Sequence, residues 1–308
     1  MTELNYATRD DTIRINSYTT VLRRDGVPHE VFATYWRDAH GPLCSRIPGL
    51  GWYVQNHFSR EQDAHLWPLA DGVTPIPDYV LDGGVEIGFA NAADQATFQE
   101  ASPILFSDEQ NMFAETIAYA LPQGSKTFVD RLANPVPNET DTLDRMHVHF
   151  SPAHDDTQAF HGFMTGLAQI LAADSAVLKL RLHLPDAYDN AKPAPPAPNV
   201  GHTVSADRLS LAILEIAFAT PLARRAFFAS DVFTATAAGQ KQHIRYASAF
   251  AVSGVYTYVR DSQLTVAGLR GSRTAQLITT LGAINQTAPN VKHLIQHGVM
   301  EPVERVQA

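Results

Sequence analysis

The sequence has one cysteine, Cys44, among its 308 residues. A single thiol cannot form an intrachain disulfide bond, and it cannot supply the thiolates of a structural zinc or iron–sulfur site. Basic side chains are also scarce, because 23 lysines and arginines stand against 32 aspartates and glutamates, which gives a net charge of −9. This charge argues against nucleic acid or an anionic membrane as a partner, since both attract basic proteins.

Long apolar runs are missing as well. The first twenty residues carry charges throughout and lack the apolar stretch of a signal peptide, and no stretch of the sequence has the length needed to cross a membrane. We therefore expect a cytoplasmic protein. The motifs of nucleotide-binding loops, of the α/β-hydrolase nucleophile and of zinc proteases are also missing. With these motifs excluded, the chemistry that the sequence still allows is acid–base catalysis by histidine, tyrosine and glutamate.

The sequence does contain an internal repeat. The run EIGFAN at Glu86 returns as EIAFAT at Glu215, 129 residues later. Weaker matches follow in the same order along the chain: Arg14–Asn16 with Arg145–His147, Phe32 and Leu43 with Phe160 and Leu171, and Thr127–Val129 with Thr257–Val259. Their common order indicates two copies of one structural unit.

Each copy has the alternation pattern of a β-α-β-β-α-β unit, which is the ferredoxin-like arrangement. In the first copy we expect strands near 13–22, 52–58, 85–90 and 126–130, helices near 28–39 and 93–101, and a helical or irregular stretch at 105–120. In the second copy we expect strands near 145–151, 177–184, 208–218 and 254–260, and helices near 157–173, 221–230 and 236–248.

The predicted fold class is α+β, with two repeats that cover each other's open sheet faces and form a barrel within one chain. We divide the chain into repeat 1 at 1–135, a degenerate repeat 2 at 140–262 and a helical extension at 263–308, with one helix near 274–284. Proline-rich insertions at 60–84 and 186–207 occupy the same place in both copies. They are either lids or disordered segments.

One amphipathic helix stands out in the first copy. Phe32, Tyr35, Trp36 and Ala39 form its apolar stripe, and we interpret Tyr35 and Trp36 mainly as core packing. Gly41 and Pro42 predict that this helix ends at His40, because glycine favours the left-handed cap and proline cannot continue. The matching position in the second copy is an alanine, Ala168, which indicates a single functional site near the first copy.

Three runs together resemble the EthD family of the dimeric α+β barrel superfamily: YWRDAHGPL, PGLGWYVQNHF and EIGFAN. The resemblance is good over about residues 11–130 and weak over 140–260. The resemblance implies a functional role for His40 in the H-G-P motif, for His57 in the N-H pair and for Glu86. Most members pair as two chains, so a homodimer stays open. The family includes cofactor-independent enzymes that cyclise, isomerise, dehydrate or decarboxylate polyketide and aromatic-type molecules.

Polar residues alternate with apolar ones along the predicted strands, so they share one face of each strand. We expect this face to point between the sheets, and it carries Asn16, Tyr18, Tyr53, Gln55, His57, Glu86, His147, His149, Arg181, His183 and Glu215. Each unpaired polar group buried in a core costs roughly 1–3 kcal/mol. A polar, ligand-sized cavity between the sheets is therefore the simpler interpretation.

Two alternatives stay open for this face. Arg181 can form a structural ion pair with Glu215 or Glu86. The spacing of His147 and His149 also suits a metal ion, although we expect neither a metal nor another cofactor.

The sequence therefore predicts a cofactor-independent lyase or isomerase, including a cyclase, that acts on a small aromatic, polyketide-like or terpenoid-like carbonyl compound. His40 is the leading acid–base group, with His57, Tyr53 and Glu86 as further catalytic residues. The substrate-binding residues are Tyr18, Asn16, Gln55, His147, His149, Arg181, His183, Glu215 and Trp36. The alternatives are a haem- or metal-dependent oxidative enzyme and a non-catalytic binding protein for small hydrophobic molecules.

Overall fold

A computed structural model describes residues 4–61 and 66–299. The first repeat forms an antiparallel sheet in the spatial order β4-β1-β3-β2. Its strands are β1 (Ile15–Arg23), β2 (Trp52–Phe58), β3 (Gly83–Phe89) and β4 (Phe113–Leu121). After β5 (Lys126–Asp130) and β6 (Asn138–Thr140), the second repeat forms its sheet from β7 (Asp144–Pro152), β8 (Val177–His183), β9 (Ala212–Phe218) and β10 (Ile244–Arg260), and β11 (Gln263–Leu264) follows. The second sheet has the equivalent order β10-β7-β9-β8.

Helices lie on the outer face of each sheet. The first repeat has α1 (His29–Tyr35), a π-helical turn (Trp36–His40), α2 (Gly41–Ser45), α3 (Ala92–Ala101) and α4 (Pro103–Glu109). The second has α5 (Thr157–Ala172), α6 (Pro221–Phe228), α7 (Asp231–Thr234) and α8 (Ala237–His243). Side-chain caps start α3 at Asn91 and α5 at Asp156, each accepting hydrogen bonds from N–H groups of the first turn.

The C-terminal extension adds α9 (Val266–Arg270), α10 (Ser272–Leu281) and α11 (Pro289–His297). The helix expected near 274–284 corresponds to α10. Residues 300–308 of the expected extension, and residues 1–3, lie outside the described part. Within 4–61 and 66–299, none of the helices has the length and apolar character needed to cross a membrane.

One long strand joins the two sheets. The first half of β10 pairs with β7 in the second sheet, and its second half pairs with β2 in the first. β5 makes the reciprocal exchange, since it follows the first repeat but pairs with β8. The chain is therefore two ferredoxin-like repeats that form an α+β barrel by themselves, as predicted.

The fourth strand of each repeat differs from the prediction. Residues 113–121 form β4, whereas 126–130, expected as the fourth strand, is the exchanged strand β5. Likewise β10 begins at Ile244, inside the helix expected at 236–248. Both missed stretches are rich in alanine, which favours helices in isolation, and pairing in the sheet overrides that preference.

The H-G-P motif does not end its helix as predicted. The Gly41 N–H donates to the carbonyl of Trp36, five residues earlier, which is a π-helical turn, and the helix continues to Ser45. In a regular α-helix the ring of Pro42 would clash with the carbonyl four residues before it. The wider turn provides the room. Gly41 is required for another reason, because a Cβ atom there would lie 2.5 Å from the Tyr258 ring.

The two insertions are ordered, and each lies on the opposite repeat; residues 62–65 of the first are outside the described part. Thr74 of the first insertion forms a parallel bridge with Tyr246 at the start of β10. Gly201 of the second insertion forms the equivalent bridge with Glu115 on β4. The side chains that they bring to the opposite repeat differ, however. The first insertion places Trp67 into the core of the second repeat, where its ring lies 5.3 Å from those of Phe150, Phe228 and Phe233.

We predict that Trp67→Ala lowers the free energy of unfolding by about 3–5 kcal/mol, because it empties a packed core position. Urea denaturation measures the change. Leu69→Ala in the same insertion is the matched control, since Leu69 is 41% exposed and should cost little. Equal stability of the two variants would show that the insertion does not form part of the core.

Candidate functional site

The main cavity lies between the first sheet and its own helices, not between the two sheets. Its volume is about 520 Å³, which suits a small organic ligand. Its wall is mostly apolar and includes six aromatic side chains: Trp36, Tyr53, Phe89, Phe98, Phe106 and Phe113. Residues 194–196 of the second insertion close one side. The corresponding space of the second repeat is filled by Trp67 and its aromatic neighbours.

His40 is part of the cavity wall and is held by an acid. Its Nδ1 lies 2.8 Å from Oδ2 of Asp108, and the Tyr35 hydroxyl donates to Oδ1 of the same carboxylate at 2.6 Å. Burial raises the pKa of Asp108, but hydrogen bonds from His40 and Tyr35 outweigh it and lower the pKa below its usual value. A carboxylate on Nδ1 favours the tautomer with a proton there, which leaves Nε2 as a base.

Glu109, the residue after Asp108, is an acid that lines the cavity itself. Its side chain is buried, and its Oε2 accepts a hydrogen bond from the Thr116 hydroxyl at 3.2 Å. Burial raises the pKa of Glu109 to about 7, although the Thr116 hydrogen bond opposes the shift. Neither Asp108 nor Glu109 was singled out from the sequence, because they belong to no motif and lie in a stretch expected to be helical or irregular.

Three predicted site residues on β2 face the helices, which corrects the expected orientation. Val54 is paired with Glu86, so both point between the sheets, and Tyr53, Gln55 and His57 point the other way. Tyr53 thereby joins Trp36 and His40 in the cavity wall.

Gln55 and His57 lie behind Trp36 and outside that wall. The Gln55 amide donates to the carbonyl of Trp36 at 3.0 Å and to the Tyr53 hydroxyl at 2.8 Å. The His57 ring stacks on Trp36 with centroids 4.2 Å apart. Burial, with the nearby charges of Arg37 and His29, lowers the pKa of His57 well below its usual value. These contacts show how polar residues can be satisfied on a helix-covered face.

The middle of the barrel is packed, and the cavity between the sheets lies at one end of the barrel, where Glu86 and Glu215 line it. The Tyr18 hydroxyl lies 2.7 Å from His147 Nδ1 and 3.2 Å from His149 Nε2, and the Tyr79 hydroxyl lies 2.8 Å from His149 Nδ1. Burial lowers the pKa of His147 to about 4, and it also lowers the pKa values of His149 and His183 well below their usual value. The cavity at the end of the barrel has a volume of about 220 Å³.

Ion pairs hold the remaining polar residues of the barrel. Arg181 Nε lies 2.9 Å from Glu86 Oε2, which also accepts from Asn16 at 3.0 Å. Glu215 pairs with Arg145, and Lys179 lies 3.7 Å from it. The interpretation of Arg181 as a structural ion pair is therefore confirmed for Glu86.

Asn16 also borders the main cavity, whereas Tyr18, His147, His149, Arg181, His183 and Glu215 are outside its wall. Within residues 4–61 and 66–299, no group of three or more His, Cys, Asp or Glu residues is placed to hold a metal ion.

We predict that Arg181→Ala lowers the free energy of unfolding by about 3–5 kcal/mol, because it leaves Glu86 buried without its cation. Lys241→Ala is the control, since Lys241 pairs with Asp71 on the surface, where solvent screens the two charges, and the change should cost little stability. Thermal and urea unfolding compare the two. Equal losses would contradict a supporting role for the barrel ion pair.

Comparisons with known proteins support the fold. No family model matches this sequence, and no curated protein matches it at a significant level. Two solved structures are each described as a "putative monooxygenase". The one from Fusobacterium nucleatum aligns over 82% of this chain and 97% of its own, with TM-score 0.50 and 5% identity. The one from Lactobacillus acidophilus covers 82% and 98%, with TM-score 0.42 and 9% identity.

An anthrone oxidase-like protein covers 82% of this chain and 96% of its own, with TM-score 0.43 and 8% identity. At identities this low, the likeness concerns the fold and not the reaction. The chain shares the α+β barrel fold with the structure from Fusobacterium nucleatum.

Proposed function

We propose that this protein is a cofactor-independent lyase or isomerase, of the cyclase type, that acts on a small carbonyl compound by proton transfer. The observation that carries the proposal is His40, held by Asp108, in the wall of a largely apolar cavity of about 520 Å³. The EthD-like H-G-P motif supplies this histidine.

The contacts of His40 explain how it would work as a base. Asp108 holds Nδ1 and stabilises the imidazolium that forms when Nε2 accepts a proton. Tyr35 completes the support by donating to the other carboxylate oxygen. Among the described residues no hydrogen bond reaches Nε2, so this atom is available to a ligand. A positioned base of this kind contributes roughly 10²–10⁴-fold to a proton-transfer rate.

The cavity wall suits the proposed substrate class. Aromatic rings on several sides favour a flat, apolar body, and they exclude water, which strengthens the polar contacts that remain. Tyr53 is a further residue of the wall, and its hydroxyl accepts a hydrogen bond from Gln55 at 2.8 Å, which fixes the orientation of its ring.

The test measures deuterium uptake at C1 of 2-tetralone in D₂O, an uncharged ketone whose enol is readily formed. We predict that His40→Asn lowers the rate by roughly 10²–10⁴-fold, because asparagine can keep the Asp108 hydrogen bond but has no atom in place of Nε2. Circular dichroism checks that the fold is intact.

His154→Ala, at an exposed loop position, is the matched control and should exchange at the wild-type rate. Exchange by His40→Asn at the wild-type rate would remove His40 from the mechanism. Oxygen consumption during the assay would favour an oxidative enzyme, and ligand binding without exchange would favour a binding protein.

A further inference from the structure

The wall of the main cavity carries few ionisable groups. They are His40, Cys44, Tyr53 and Glu109, and neither lysine nor arginine occurs among the described residues that line it. A carboxylate or phosphate ester would lose its hydration there without gaining a cation, which costs several kcal/mol. The wall therefore suits a ligand without charge.

Glu109 is placed to be more than a wall residue. It lies at the end of α4, next to Asp108, and its side chain is 7% exposed. Oε2 is held by Thr116 of β4, whereas Oε1 has no hydrogen-bond partner among the described residues. Asp108 lies beside this carboxyl on its own helix, and Cys44 and His40 belong to the same cavity wall. His202 of the second insertion approaches Thr116, with Nδ1 3.3 Å from the hydroxyl that holds Oε2.

The surroundings of Glu109 favour its neutral form. Burial raises the pKa of this carboxyl to about 7, and the charge of Asp108 adds to the shift. The side chain therefore holds a proton in a large part of the molecules near neutral pH. A neutral carboxyl can donate a proton or a hydrogen bond to an oxygen that becomes negative during reaction.

We propose that Glu109 is the proton donor of this cavity, acting with His40 on an uncharged, enolisable carbonyl compound. The inference rests on the proposed function and deepens it. In the first step His40 Nε2 takes a proton from the carbon next to the carbonyl. The electron pair of the broken C–H bond forms a C=C bond, and the carbonyl oxygen takes the proton of Glu109. The products are an enol, an imidazolium and a carboxylate.

The second step restores both groups. The Glu109 carboxylate takes back the enol O–H proton, the carbonyl forms again, and the imidazolium gives its proton to carbon. Return to a different carbon of a conjugated substrate produces an isomer. No oxidant or reductant is needed, because both steps only move protons and electron pairs between the substrate and these two residues. In D₂O the imidazolium exchanges its Nε2 proton with solvent before it returns one to carbon, which places deuterium in the substrate.

The test follows 2-tetralone exchange against pH in the full-length protein. We predict that wild-type kcat/KM falls as pH rises through about 7, because Glu109 then loses the proton that it must donate. Glu109→Gln should be roughly 10²-fold slower, and it should lose this fall, because an amide does not titrate. Persistence of the fall in Glu109→Gln would overturn the assignment.

A control and a second variant complete the design. Glu100→Gln, at an exposed position of α3, should keep the wild-type rate and profile. Thr116→Val removes the hydrogen bond that lowers the pKa of Glu109, so the fall should move to higher pH. This variant decides the question if Glu109→Gln does not fold, and an unmoved profile would contradict the proposal.

The charge of the substrate is tested by competition with two inhibitors of similar shape. 2-Naphthol should inhibit exchange at roughly 100-fold lower concentration than 2-naphthoate, because only the naphthoate is an anion at pH 7. Equal inhibition would overturn the uncharged class. Absence of exchange by the wild-type protein would overturn the proposed function and this inference together. A loss in His40→Asn without a change in Glu109→Gln would overturn only the role of Glu109.

Discussion

The pairing of β10 with both sheets is the constraint on which the rest of the structure depends. Because one continuous strand belongs to both repeats, the open face of each sheet must lie against the other. Polar side chains from both repeats are thereby buried in the same interior. Cross-repeat contacts hold many of them, such as Arg181 with Glu86 and Tyr18 with His147, whereas Nε2 of His147 and of His183 has no hydrogen-bond partner among the described residues. These contacts tie the two repeats together inside the barrel.

The functional asymmetry of the chain has its origin in the two insertions. Each lies along the fourth strand of the opposite repeat, but only the first brings a large aromatic residue, Trp67, into the helix-side core. The second brings residues 194–196, which border the space without filling it. Two copies of one unit therefore differ at the position that matters for binding. One is a solid core and the other holds a cavity with His40, Asp108 and Glu109 beside it.

The sequence was informative about elements with clear alternation and less informative about where side chains point. β2 was predicted with its observed bounds, but its polar face was assigned to the barrel, because nothing local shows that Trp36 and its carbonyl lie over Gln55 and His57. His40 was found through its motif. Asp108 and Glu109 were not, since a carboxyl becomes distinctive only when folding buries it beside a histidine or in an apolar wall.

The shared strand also affects the order in which the chain can fold during synthesis. β2 leaves the ribosome about two hundred residues before the part of β10 that covers its edge. Until then the first sheet presents an unpaired edge, a common starting point for association with other chains. Contacts between segments so far apart also form slowly. The first repeat therefore has an unpaired strand edge during much of the synthesis of the chain. A chaperone that binds exposed strands would act mainly on that repeat.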